Sequence, residues 1–143
     1  MGSFRADLLP SFPDSPYLRP LPAREGGPRY QVMRDWYFTD LSGEKWAVKH
    51  GYIYDGASIP TLSGLTWAAT FSKFDPRVMR SALAHDWLCD VRPEGTTSNG
   101  AADLFGHMLL EDGCGSWRVK MMVAAVKAFG PQWELTDVGP ATR

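Results

Sequence analysis

The sequence lacks the patterns that predict a disulfide framework, a membrane span or a secretion signal. Its 143 residues include two cysteines, Cys89 and Cys114, whose spacing fits no zinc motif, so one disulfide at most is available. No apolar run approaches the roughly 20 residues that a transmembrane helix needs, and the N-terminus has no basic segment followed by an apolar one. We therefore expect no transmembrane segment, and synthesis and folding in the cytosol.

The sequence also lacks a block of basic residues. Fifteen Lys and Arg residues against sixteen Asp and Glu give a net charge of −1. A nucleic-acid-binding protein needs a clustered positive charge to neutralise phosphates, so no nucleic-acid partner is expected. The hydrophobic content of 44% suits one folded domain with a single core.

Proline is abundant only near the N-terminus, where six of the first 28 residues are proline. Because proline removes a backbone donor and fixes φ, this stretch is predicted to be an extended arm without helix and with little strand character. Its apolar side chains suit contact with the domain or with a neighbouring subunit. The predicted division is an arm over residues 1–28 and a single domain over residues 29–143.

An α+β fold is predicted for that domain. Two runs rich in aromatic and β-branched residues, Tyr30–Thr39 and Lys45–Tyr54, flank a polar loop and predict a β-hairpin. Three helical segments follow, so the architecture is a hairpin with two or three packed helices. The helices are predicted from Asp75–Pro76 to about Asp90, from about Ala101 to Asp112 with Ser98 or Asn99 as the cap, and from Trp117 to Phe129 with Ser116 as the cap.

The chemistry is expected around His85 and Asp86 in the first of these helices. His85 shares an apolar stripe with Val78, Ala82 and Cys89, so it is predicted to face inward. A buried imidazole without a partner costs roughly 1–3 kcal/mol, and Asp103 on the next helix is the candidate partner.

Asp55 adds a third carboxylate in an Asp-Gly turn, where exposed carbonyls and a carboxylate suit Ca²⁺. Taken together, Asp103 would orient His85, His85 would take a proton from water, and Asp55 with Asp86 would hold Ca²⁺ to polarise a carbonyl. These are the parts of an ester hydrolase. Each motif also has a purely structural explanation, since a His–Asp pair can link two helices and an Asp-Gly turn can be only a turn.

A different metal site is the alternative for the same residues. His85, Asp86, Asp103 and His107 combine imidazole with carboxylate ligands, which suits Zn²⁺, Fe or Mn. This arrangement requires His107 and Asp103, four residues apart, both to point at His85. We rank it below the Ca²⁺ site.

Three motifs in order resemble a known family. They are Tyr54-Asp-Gly-Ala-Ser-Ile-Pro60, Ala84-His-Asp-Trp-Leu88 and Ala102-Asp103, followed by the helix end Val123-Ala-Ala-Val-Lys-Ala-Phe-Gly130. Over about residues 30–130 the chain resembles an uncharacterised small-domain family of tailed phages and prophages. This resemblance implies a phage protein that is made in the host cytoplasm.

The motif order is also similar to that of the prokaryotic phospholipases A2. This similarity implies Asp55 and Asp86 as Ca²⁺ ligands, His85 as the base and Asp103 as its partner. The chain departs from those enzymes at Cys89, where they commonly have tyrosine, and in lacking their disulfides.

Two functions are therefore expected. The first is a virion- or tail-associated hydrolase of phospholipase A2 type that uses metal-activated water on an ester or lipid. The alternative is a non-catalytic tail or baseplate subunit whose N-terminal arm binds neighbouring virion subunits. A soluble lysis factor is a third class.

Overall fold

The computed structural model describes residues 15–24, 27–55 and 76–135. Over these residues the chain forms five strands and three helices, which confirms the predicted α+β class. In chain order they are β1 (Leu18–Arg24), β2 (Gly27–Val32), β3 (Trp36–Thr39), β4 (Lys45–Val48), β5 (Ile53–Tyr54), α1 (Pro76–Val91), α2 (Ser98–Glu111) and α3 (Ser116–Phe129).

The predicted hairpin is present, but it is divided between two sheets. Strands β3 and β4 pair antiparallel around the Asp40–Glu44 loop, with Trp36 opposite Val48. The Asp40 carboxylate stabilises this loop by accepting hydrogen bonds from the backbone N–H groups of Ser42 and Glu44 at 2.9 and 3.0 Å. Beyond the hairpin, β2 pairs with β5 in a separate sheet of order β1-β2-β5.

Both predicted strands therefore bend near their middle. At the bend the Asp35 carboxylate accepts a hydrogen bond from the His50 N–H at 2.8 Å, and Gly51 has a φ of +101°. Glycine adopts this left-handed conformation without the steric cost that other residues incur. The bend directs Tyr52 and Tyr54 towards the helices.

The proline-rich arm contributes a strand, so the expectation of little strand character is wrong for Leu18–Arg24. Strand β1 contains Pro20 and Pro22 and lies at the edge of its sheet. Edge strands accept proline because one row of their N–H groups has no partner strand. Residues 1–14 lie outside the described residues, so the contact of the arm with neighbouring subunits stays a prediction.

The three helices form where the sequence predicts them, with shifts of one to three residues at some of their ends. Helix α1 runs one residue beyond the predicted end. Helix α2 begins three residues early because Thr97, rather than Ser98 or Asn99, is the N-cap and accepts a hydrogen bond from the Gly100 N–H. The prediction of Ser116 as the cap of α3 is wrong, because Gly115 is the N-cap and Ser116 is the first helical residue; the helix ends at Phe129, as predicted.

Helix α1 lies between the sheets and the other helices. Its Trp87 ring contacts the rings of Phe38 and Trp46 in the β3–β4 hairpin, with ring centroids 5.7 and 6.0 Å apart. On its other side α1 packs against α2, which packs against α3. None of the helices in the described residues is long and apolar enough to span a bilayer.

Candidate functional site

The candidate site lies on the side of α1 that faces β5. Asp86 and Asp90 are four residues apart on this helix, so they share one face. The Tyr52 hydroxyl reaches both carboxylates, at 3.0 Å from Asp86 Oδ2 and 2.6 Å from Asp90 Oδ2. We refer to Tyr52, Asp86 and Asp90 as the Tyr52 cluster.

The two carboxylates of the Tyr52 cluster share one hydrogen-bond donor and differ in their exposure to solvent. A phenol carries one hydrogen and therefore donates to one carboxylate at a time. Asp86 is only 3% exposed, whereas Asp90 is exposed to solvent. The cluster thus joins a buried carboxylate to an accessible one through a single shared donor.

Tyr54 and Asp55 extend this polar region. Burial raises the pKa of Tyr54 first, and the negative charges of Asp86 and Asp55 raise it further. Burial likewise raises the pKa of Tyr52, together with the charges and hydrogen bonds of Asp86 and Asp90. The two predicted metal ligands, Asp55 and Asp86, therefore both act on the Tyr54 hydroxyl, and both phenols stay protonated at neutral pH.

His85 lies on a different side of α1, facing α2. Its side chain is 2% exposed, as the sequence predicts, and its ring centroid is 5.5 Å from that of Phe105. The Cys89 sulfur is 3.7 Å from both ring nitrogens, within reach of a weak thiol hydrogen bond. Burial lowers the pKa of His85 to about 4, which keeps the ring neutral at pH 7.

The expected partner of His85 faces another residue. Asp103 lies on the exposed side of α2, and its Oδ1 is 2.8 Å from Lys127 Nζ on α3. Its neighbours Ala102 and Phe105 are buried, and Phe105 occupies the position beside the imidazole. The structure therefore does not bring Asp103 to His85.

The alternative four-residue metal site is not assembled either. His107 is exposed and lies 3.3 Å from the Glu111 carboxylate, while His85 and Asp86 are buried against different elements. Among residues 15–24, 27–55 and 76–135, no three His, Cys, Asp or Glu side chains are grouped so as to hold a metal ion. Cys89 and Cys114 are both buried and are not joined by a disulfide.

The sequence patterns do not predict the contact of Tyr52 with Asp86 and Asp90. The four-residue spacing of Asp86 and Asp90 was a signal that the two carboxylates share a face. Tyr52 had a weaker signal, the alternation with Tyr54 along one strand. The bend at Gly51 that brings Tyr52 to α1 has no such pattern.

Comparisons with known proteins place the chain among proteins without an assigned activity. A family model described as "Protein of unknown function (DUF1353)" matches residues 30–126. The "Uncharacterized protein y4jT" of Sinorhizobium fredii is 30% identical over 108 residues, which cover 76% of this chain and 31% of that protein. The "Uncharacterized protein y4iH" of the same organism is 34% identical over 104 residues, 71% of this chain and 41% of that protein. The chain thus spans less than half the length of these curated relatives, and no solved structure matches it.

Proposed function

The chain belongs to the DUF1353 family, and from the Tyr52 cluster we propose that it is a phage-type, virion-associated hydrolase that activates water for attack on an ester or lipid. The observation that carries this proposal is the convergence of a buried and an exposed carboxylate on one phenol hydroxyl. The virion assignment rests on the resemblance of the Tyr54–Pro60 and Ala84–Leu88 motifs to phage proteins.

Proton transfer is the chemistry that this convergence supports. A positioned carboxylate that takes a proton from the attacking water acts as a general base. In this proposal the exposed Asp90 accepts a proton from a water molecule, since solvent reaches it. Tyr52 links it to Asp86, which holds the cluster in place from the buried side.

The donor set also favours one class of metal ion. The charges of Asp55 and Asp86 both act on the Tyr54 hydroxyl, and hard carboxylate oxygens suit Ca²⁺ better than Zn²⁺. Asp55 and Asp86 are the residues proposed to hold it, and a bound Ca²⁺ supplies polarisation of the substrate carbonyl. The mixed zinc or iron site is not proposed, because His85 lies on the α2 side of the helix.

His85 has a different role in this proposal from the one that the motif suggests. Its neutral ring is in the protonation state of a base, but it is 2% exposed and lies against Phe105. We assign it to packing between α1 and α2, and Asp103 to the ion pair with Lys127.

The second candidate function is a non-catalytic virion subunit. It is favoured by the burial of His85 and by the separation of Asp103 from it, which remove two groups from the phospholipase-type scheme. A structural subunit would keep the Tyr52 cluster only as a link between α1 and the residue that leads into β5.

Hydrolysis assays with matched variants separate the two functions. The purified full chain is assayed on a p-nitrophenyl ester and on phospholipid vesicles, with Ca²⁺ and with EDTA. We expect Asp90→Asn to lower the rate roughly 100-fold or more, the range of general base catalysis. Asp90 is exposed, so this variant should fold, which a thermal melt checks.

Asp103→Asn is the matched control, because it removes an exposed carboxylate outside the Tyr52 cluster. The hydrolase proposal expects its rate to match that of the unaltered chain. Equal rates for Asp90→Asn and the unaltered chain, or no hydrolysis above buffer with either substrate, would overturn the proposal in favour of the structural subunit.

A further inference from the structure

A groove runs between strand β3 and helix α2. Its volume is about 610 Å³, which is within the range of ligand-binding clefts. One wall consists of residues 37–41, which are consecutive residues of β3 and of the loop after it. The other wall is one face of α2, formed by Leu104, His107, Met108 and Glu111. The groove shares no residue with the Tyr52 cluster.

The groove follows the open edge of β3 and does not lie on one face of its sheet. Successive side chains of a strand point to opposite faces, so consecutive residues line one groove only where it runs along the strand edge. Of the described residues of β4, Lys45 alone reaches the groove, at the end of the hairpin. The edge of β3 that faces away from β4 therefore faces α2.

Two residues of β3 direct their backbone groups to this edge. The Asp40 N–H donates to the Glu44 carbonyl at 2.8 Å, which closes the ladder at the loop. Hydrogen-bonded residues alternate along an antiparallel strand, so Phe38 is the next to bond to β4. The N–H and C=O groups of Tyr37 and Thr39 thus point away from β4. Within the part of the chain that the structure describes, no hydrogen bond reaches them.

We propose that this groove binds an extended acidic peptide of a partner protein, which adds a strand to the edge of β3. An edge with open N–H and C=O groups is a template for such a strand, and the main-chain hydrogen bonds supply affinity. Tyr37 and Thr39 together offer two donors and two acceptors. This binding is independent of the hydrolase function.

The charged side chains of the groove favour an acidic peptide. Both carboxylates that line it, Asp40 and Glu111, already accept hydrogen bonds or ion pairs. Arg80 also lines the groove and binds carboxylates through Nε and Nη2, but its Nη1 has no partner among the described residues. The Lys45 ammonium lies 5.2 Å from the centroid of the Tyr37 ring, which accepts only a weak interaction. A peptide carboxylate supplies the acceptor that these two cations lack.

Titration of the full chain with matched peptides tests the proposal. One blocked peptide alternates valine with glutamate over about eight residues, the length of a strand, and the other alternates valine with lysine. We expect the glutamate peptide to bind roughly tenfold more tightly or better. In ¹⁵N NMR spectra the amides of Tyr37 and Thr39 should shift most. A glutamate peptide with every amide N-methylated is the control and should not bind, because it has no main-chain donors.

Variants of the edge test the same contact from the side of the chain. Thr39→Pro removes one outward N–H, and an edge strand accepts proline at such a position. We expect it to bind the glutamate peptide roughly tenfold more weakly, whereas the control Thr39→Val keeps the N–H and should bind as the unaltered chain does. Lys45→Glu should reverse the preference between the two peptides. Lys45 is exposed, so this variant decides the test if a thermal melt shows that Thr39→Pro does not fold.

Four results would overturn the proposal. The first is no binding of the glutamate peptide, and the second is equal binding of its N-methylated form. The third is tighter binding of the lysine peptide, which excludes an acidic partner. The fourth is a dimer of the unaltered chain in sedimentation velocity that Thr39→Pro abolishes, which would assign the edge to a second copy of the chain.

Discussion

Two sides of α1 differ sharply in chemistry although the residues that define them are neighbours in sequence. On the β5 side, Asp86 and Asp90 share the Tyr52 hydroxyl, and part of the cluster is open to solvent. On the α2 side, His85 lies between Phe105 and Cys89 and is kept neutral by burial. One side is charged and the other is apolar.

The difference shows why a His-Asp pair in a helix is not in itself a catalytic dyad. Successive helical residues point about 100° apart, so His85 and Asp86 face different neighbours. Residues four apart, such as Asp86 and Asp90, face the same neighbour. The pair that shares a partner on this helix is therefore Asp86 with Asp90, joined by Tyr52, and it is the pair that we propose to act on water.

Exchanging His85 and Asp86 should have the largest effect on stability. His85→Asp combined with Asp86→His places a carboxylate against Phe105, where burying an unpaired charge costs about 3–5 kcal/mol. We expect the variant to lose at least that much free energy of unfolding in urea titrations, or to fail to fold. The Asp86→His single variant is the control and should be less destabilised. Similar losses in both variants would contradict the apolar character of the His85 side.

The second largest effect should be a loss of stability at acid pH that depends on His85. Its pKa falls from an ordinary value of 6.5 to about 4 in the folded chain, because burial disfavours the charged ring. The unfolded chain therefore takes up the proton first as the pH falls. The contribution of His85 to the free energy of unfolding is fully present above pH 6.5. This contribution, about 3 kcal/mol, is lost as the pH falls towards 4.

His85→Gln should remove this part of the pH dependence. The measurement is the free energy of unfolding at several pH values between 4 and 7. His107→Gln is the matched control, because His107 is exposed beside Glu111, and it should keep the slope of the unaltered chain. An unchanged slope in His85→Gln would mean that the imidazole is not sealed from solvent.

Local signals in the sequence predicted much of this fold. Proline at the start of α1 and glycine after α3 fixed those helix ends, and the apolar stripe predicted that His85 faces inward. These predictions are confirmed because each depends on residues within one or two helical turns. The hairpin around Asp40 is also confirmed for the same reason.

The rest depends on contacts between distant segments, which spacing does not encode. Whether Asp103 faces α1 or α3 is decided by the rotation of α2, and the close contact of Gly106 with α3 constrains that rotation. A Cβ at Gly106 would lie 2.5 Å from Val123 Cγ2. The bend between β4 and β5 likewise depends on Asp35, fifteen residues before His50. The sequence thus predicted the helix that carries the site but not its partners.

Tyr52→Phe should have a moderate effect. Removing the hydroxyl takes a donor from Asp86, which is 3% exposed, and a lost partner of a buried polar group costs about 1–3 kcal/mol. Urea titration at pH 7 measures the loss. Tyr37→Phe is the matched control, because the Tyr37 ring is 50% exposed, and its stability should be unchanged. Equal stabilities for the two variants would show that the hydroxyl of Tyr52 is not needed to hold Asp86.

Asp90→Asn should have the smallest effect on stability. It therefore distinguishes the β5 side of α1 from the α2 side most clearly. The side chain is exposed, and asparagine keeps a carbonyl oxygen that accepts the Tyr52 hydrogen bond, so the change should stay within about 0.5 kcal/mol. The same substitution is expected to lower hydrolysis strongly, because the amide cannot take a proton from water. A residue that matters to the reaction and hardly to folding belongs to the chemistry of the β5 side. A loss of stability above about 2 kcal/mol in the same titration would instead assign Asp90 to holding α1 against the sheet.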